Sequence, residues 1–159
     1  TIPGVSVERA TGLVMRDAAP PVTASVSAEF NGWGYVHLFD AETLEEIDTY
    51  AISEALSPAF LRTVANPAGF GALSVHEAAT DIENNLAYLS YYDGGLRVIG
   101  FGPGGIEELG HFIDANGNDF WGVQVHRLPA DPTEQTLILA SDRDSGLWIF
   151  RYTGPMPGG

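Results

Sequence analysis

The strongest constraint on this chain is that it matches itself. Displaced by 51 positions, the run Leu86-Ala87-Tyr88-Leu89-Ser90-Tyr91-Tyr92-Asp93-Gly94-Gly95-Leu96 lies over Leu137-Ile138-Leu139-Ala140-Ser141-Asp142-Arg143-Asp144-Ser145-Gly146-Leu147, and Ser90/Ser141, Asp93/Asp144, Gly95/Gly146 and Leu96/Leu147 coincide. A displacement of 50 lays Val75-His76 over Val125-His126, so the repeat extends upstream. Self-similarity at a fixed period of this size marks solenoids and propellers.

Apolar runs bounded by turn residues predict strands at 71–77, 86–92, 95–101 and 107–113, joined at Asn84-Asn85, Asp93-Gly94 and Pro103-Gly104-Gly105. Four antiparallel strands in about 50 residues make one propeller blade. The next unit has strands at 122–128, 136–142 and 146–152, lacks a fourth, and ends in an irregular tail, 153–159. Upstream, Val22 to Phe30, Trp33 to Phe39 and Glu45 to Ile52 read as strands, with Gly34-Tyr35-Val36 standing where Gly95-Leu96-Arg97 stands later. Gly12 to Arg16 is a candidate innermost strand. The earlier unit therefore carries an insertion at 53–70, where Ser53 to Ala65 has the spacing of a short helix. The expected fold is all-β: about three four-stranded antiparallel blades of a partial β-propeller, at 12–52, 71–113 and 122–152, forming one domain.

Apolar residues make up 45% of the chain, enough for a packed core. Seven basic residues against 21 acidic ones give a net charge of −14, which repels phosphate backbones and excludes nucleic acid as a partner. Without cysteine there is neither a disulfide nor a thiolate metal site. No apolar run is long enough to span a bilayer. Thr1 lacks the basic and apolar regions of a signal peptide and is expected to be a processed end.

Two clusters could carry chemistry. His76 and His126, aligned by the repeat on innermost strands, could share a metal with Glu77 near a central channel; hydrogen bonding to a neighbouring blade is the alternative. Asp114, Asn116, Asn118 and Asp119 place side-chain oxygens as a calcium loop does, but Asp119 stands where such a loop wants glycine and no later glutamate follows, so a plain turn competes. Asp93 and Asp144 precede glycines in matching hairpins and are expected to supply turns. Ser90 and Ser141 lie in no nucleophile elbow, and no phosphate loop or dinucleotide fingerprint occurs. Most of the aromatics, Tyr88 and Trp148 among them, suit packing between blades.

The segments Ser74-Val75-His76-Glu77, Ala87-Tyr88-Leu89-Ser90-Tyr91-Tyr92-Asp93-Gly94-Gly95-Leu96-Arg97-Val98, Phe120-Trp121-Gly122-Val123 and Ala140-Ser141-Asp142-Arg143-Asp144-Ser145-Gly146-Leu147-Trp148-Ile149-Phe150 resemble the C-terminal blades of LVIVD-repeat propeller proteins. That resemblance implies an extracellular, periplasmic or cell-surface protein and says almost nothing of catalysis. A fainter likeness to selenium-binding, methanethiol-oxidase-type propellers rests on His76, Glu77 and His126 alone. The leading expectation is a non-enzymatic interaction or structural module; the alternative is a metal-dependent, oxidoreductase-like propeller with a histidine site at its channel. Three blades leave two open faces, so another chain or a second copy is expected to complete the ring.

Overall fold

A computed structural model of the chain describes residues 8–23, 25, 30–32, 34–60, 69, 71–127 and 136–158. Among the described residues the architecture is all-β with one short α-helix, α1 (Arg9–Asp17). Strands β1 (Val36–Phe39) and β2 (Glu46–Tyr50) form a first antiparallel sheet. The second contains β3 (Glu77–Asp81), β4 (Leu86–Ser90), β5 (Leu96–Gly102) and β6 (Gly105–Phe112), in that order. The third contains β7 (Phe120–Arg127), β8 (Thr136–Asp142) and β9 (Gly146–Arg151).

The second sheet lies between the other two, and its composition shows why. All five residues of β4, Leu-Ala-Tyr-Leu-Ser, are buried, as a strand covered on both faces requires. Leu86, Tyr88, Leu96 and Val98 face the third sheet, where Phe120, Val123, Ile138 and Ala140 meet them with Trp148 and Phe150 alongside. Ala87, Leu89 and Ile99 face the other way, onto Val36 and Tyr50. A third cluster, Ile52, Ala55, Leu73 and Tyr91, closes the corner between the first two sheets. Each large apolar side chain so buried contributes about 1.5–3 kcal/mol before conformational entropy is subtracted.

Several expectations shift. Strand β3 begins at Glu77 rather than at residue 71, because the preceding loop is held by the β4–β5 turn instead of a ladder: Asp93 Oδ2 accepts from the Ala72 amide at 2.6 Å and the Asp93 amide donates to the Ala72 carbonyl at 3.1 Å. Gly12 to Arg16 lies within α1, which bonds to itself from Gly12 N–H to the Glu8 carbonyl, and no strand is there to pair with it among the described residues. The helix expected from Ser53 breaks into two 3₁₀ turns, Ser53–Leu56 and Pro58–Phe60; Ser57, extended at φ −133°, ψ 129°, adopts the backbone that a following proline favours. The rest of that segment, 61–65, lies outside the described residues, as does most of the strand expected over 22–30; of the latter, the described residues 22, 23, 25 and 30 are not strand. Val36, not Tyr35, turns toward the second sheet, a slip of one residue from the repeat alignment.

Candidate functional site

The two larger sheets share one register. Glu77 pairs with Ser90 and Ser90 with Leu96; correspondingly, Gly122 pairs with Ser141 and Ser141 with Leu147. In each sheet the serine hydroxyl accepts the amide of its partner on the first strand, Glu77 N–H at 3.1 Å and Gly122 N–H at 3.0 Å. Leu86, Tyr88, Leu96 and Val98 thus correspond to Leu137, Leu139, Leu147 and Ile149.

The corresponding residues differ sharply in environment. Leu96 is 3% exposed and Val98 6%, whereas Leu147 is 66% and Ile149 62% exposed. The face that the second sheet buries is therefore displayed by the third. A shallow groove of about 410 Å³ runs across it between Leu139 and Leu147, bounded by Glu77 and Trp121. Where the second sheet is covered, polar groups fix the fit: Ser90 Oγ donates to the Trp121 carbonyl at 2.7 Å, and Glu77 Oε2 accepts from the Val123 amide at 3.1 Å. At the far end of β3, Asp81 accepts from Arg127 at 2.8 Å and from Thr136 at 3.3 Å.

The structure separates His76 from His126. Because Glu77 corresponds to Gly122, His76 corresponds to Trp121, and His126, paired with Leu137, corresponds to Asp81, paired with Leu86. The two histidines thus sit five positions apart along the repeat, about 16 Å at strand rise. The first strands align at a displacement of 45 because the β7–β8 connection is longer than the β3–β4 one, and the Val-His match at 50 is a coincidence of sequence. His76 packs its ring on Trp121, centroids 4.2 Å apart, and edge-on to Tyr92 at 5.4 Å; Arg143 lies over the same indole at 5.2 Å. Glu77 is engaged with Val123. Among the described residues no three His, Asp or Glu side chains are grouped to hold a metal ion.

The Asp114 to Asp119 segment turns its oxygens on its own backbone rather than on a common point. Asp114 Oδ1 accepts from the Asn116 amide at 2.9 Å, and Asn118 Oδ1 from the Asp114 amide at 2.7 Å. The residue that organises this end of the molecule is Asp142, which the sequence reading did not single out. Its Oδ1 accepts the amides of Asp144 and Ser145 and its Oδ2 that of Asp119, at 2.7–2.9 Å. Burial pushes the Asp142 carboxyl up, but these amides outweigh it and hold it below the usual aspartate value. Asp119 is shifted the other way: burial raises it, Arg143 opposes, and the nearby Asp93, Asp144 and Asp142 add to the rise. Its Oδ1 is buried without a hydrogen-bond partner. Asp93, Asp114, Asp142 and Asp144, with Asn118 and Trp148, line an open cleft of about 570 Å³.

Asp93 and Asp144 both stand in the hairpin turns, as expected; positive φ falls on Gly146 (88°) of Asp144-Ser145-Gly146, and around Asp93 on Tyr92 (46°) and Gly95 (86°) rather than on Gly94. Asp93 is in addition the acceptor that pins Ala72.

A second unforeseen group joins the first two sheets. Tyr50 donates to Glu108 Oε2 at 2.5 Å, while Arg97, buried, pairs with Glu108 Oε1 at 3.1 Å and donates to the Gly94 carbonyl at 2.8 Å. Burial raises the Glu108 carboxyl, but Tyr50, Arg97 and His111 together bring it below the ordinary glutamate value. Burial, then Glu108, drives the Tyr50 phenol far above its ordinary range. This is the arrangement of a structural tie, with every partner engaged.

No family model, no curated protein and no solved structure matches this chain.

Proposed function

We propose that the chain is a non-enzymatic interaction or assembly module: about three blades of an incomplete β-propeller of LVIVD-repeat type, acting outside the cytoplasm and completed by another chain or a second copy. The observation that carries this reading is the exposed face of the third sheet, whose Leu137, Leu139, Leu147 and Ile149 repeat in register the residues that the second sheet buries. Soluble monomers rarely display a contiguous apolar face of this kind without using it. His76 packs on Trp121 and Glu77 accepts the Val123 amide, which favours a binding module over a metal-dependent enzyme. Purification of the native assembly from its source tests the proposal. A species containing further β-rich polypeptide or further copies, free of stoichiometric copper, iron or zinc, is expected. A monodisperse 17 kDa monomer without a partner refutes it.

A further inference from the structure

Within the chain, an aliphatic face is covered by an aromatic one. The second sheet offers Leu86, Leu96 and Val98, and the third lays Phe120, Trp148 and Phe150 over them. The third sheet offers Leu137, Leu139, Leu147 and Ile149 in the same register, the first two half-buried and Leu147 and Ile149 exposed. At the opposite end of the stack, β1 and the residue before it carry an aromatic stripe on the face turned away from the second sheet: Tyr35, His37 and Phe39, ring centroids 6.2 and 6.1 Å apart, with Tyr35 37% and Phe39 52% exposed and Ile47 exposed beside them. The chain thus ends in an aliphatic face on one side and an aromatic face on the other, the two halves of the contact it already makes inside itself.

We infer that a second copy of this chain docks head to tail, the β1–β2 sheet of one copy seated on the β7–β9 sheet of the other. The inference rests on the propeller reading and deepens it by naming the partner. The contact is heterologous, so each copy has one donor face and one acceptor face, and two copies close when both are used. Ser141 is placed to donate to a main-chain carbonyl of the incoming sheet, as Ser90 does to Trp121. Each chain carries a charge of −14, so the copies repel at long range and association strengthens as salt shortens that repulsion.

Sedimentation velocity on the whole chain at about 0.15 M and about 1 M salt tests this. The expected result is a two-chain species of about 34 kDa, twice the 17.0 kDa chain, more populated at high salt. Leu147→Glu and Phe39→Glu are each expected to sediment as monomers with unchanged circular dichroism. Their equimolar mixture is expected to recover a two-chain species, because the first retains an intact aromatic face and the second an intact aliphatic one. Ile149→Glu replaces Leu147→Glu if the latter loses its folded spectrum. A wild-type monomer at both salts, a Phe39→Glu chain that still pairs, or a folded mixture that stays monomeric overturns the inference. If the source-purified assembly nonetheless contains other β-rich polypeptide, only the second copy fails and the module reading stands.

Discussion

Ser90 Oγ donates to the main-chain carbonyl of Trp121 across 2.7 Å, joining two sheets through a hydroxyl that also accepts the Glu77 amide within its own sheet. Both partners lose their bond in Ser90→Ala, and the site is buried, so the change is expected to cost about 2 kcal/mol. Ser141 holds the corresponding place on an exposed face, and Ser141→Ala is expected to cost about 0.5 kcal/mol in the isolated chain. Urea unfolding of the two variants checks the contrast; equal losses would show that the third sheet's face is already covered.

Gly95 and Gly146 share a left-handed backbone, φ 86° and 88°, but not a neighbourhood. A Cβ on Gly95 would stand 2.2 Å from the Phe112 carbonyl oxygen, whereas one on Gly146 would meet nothing within 4 Å, since the third sheet has no fourth strand among the described residues. Gly146→Ala is expected to cost about 1 kcal/mol, the backbone term alone. Gly95→Ala adds displacement of β6 and is expected to cost about 3 kcal/mol. Thermal melts of both variants measure the difference.

The alternation of apolar strands and turns made the four-stranded sheet legible in the sequence, and the Ser90/Ser141 match already marked the true register. What misled was His76 with His126: two residue pairs match at 50 by coincidence, while a longer connection has moved the first strands to a displacement of 45. Asp142 and the Tyr50–Glu108 tie were not legible, because hydrogen bonds from distant backbone amides and between sheets leave no local pattern. The one-residue slip of Val36 against Leu96 was hidden for the same reason, since period-two alternation cannot say which face meets a neighbour.

Acid should loosen the joint between the first two sheets. The folded Glu108 carboxyl titrates below its ordinary value of 4.5, so its ionised form stabilises the fold at pH above that value, and this contribution is lost as pH falls through the lowered folded value. Glu108→Gln is expected to flatten the acid limb of a melting-temperature profile while lowering the neutral plateau. Glu108→Ala strands the buried Arg97 guanidinium and is expected to cost about 2 kcal/mol at neutral pH. An acid limb identical in wild type and Glu108→Gln would remove Glu108 from this role.

At the acidic end, Asp142→Ala is expected to cost about 2–3 kcal/mol, because three backbone amides lose their acceptor. Asp114→Ala is expected to cost about 0.5–1 kcal/mol, and chelator to leave the wild-type melting temperature unchanged. A chelator-dependent melt abolished by Asp114→Ala would instead make the loop a calcium site.

The acceptor for Ser90 is a peptide carbonyl, which every amino acid possesses. The covering sheet can therefore change its residue at that position without losing the bond, while the serine cannot be exchanged as freely. Divergence along such a stack is lopsided: one hydroxyl per unit is held fixed and its counterpart drifts, so neighbouring units can lose all visible kinship while still fitting together.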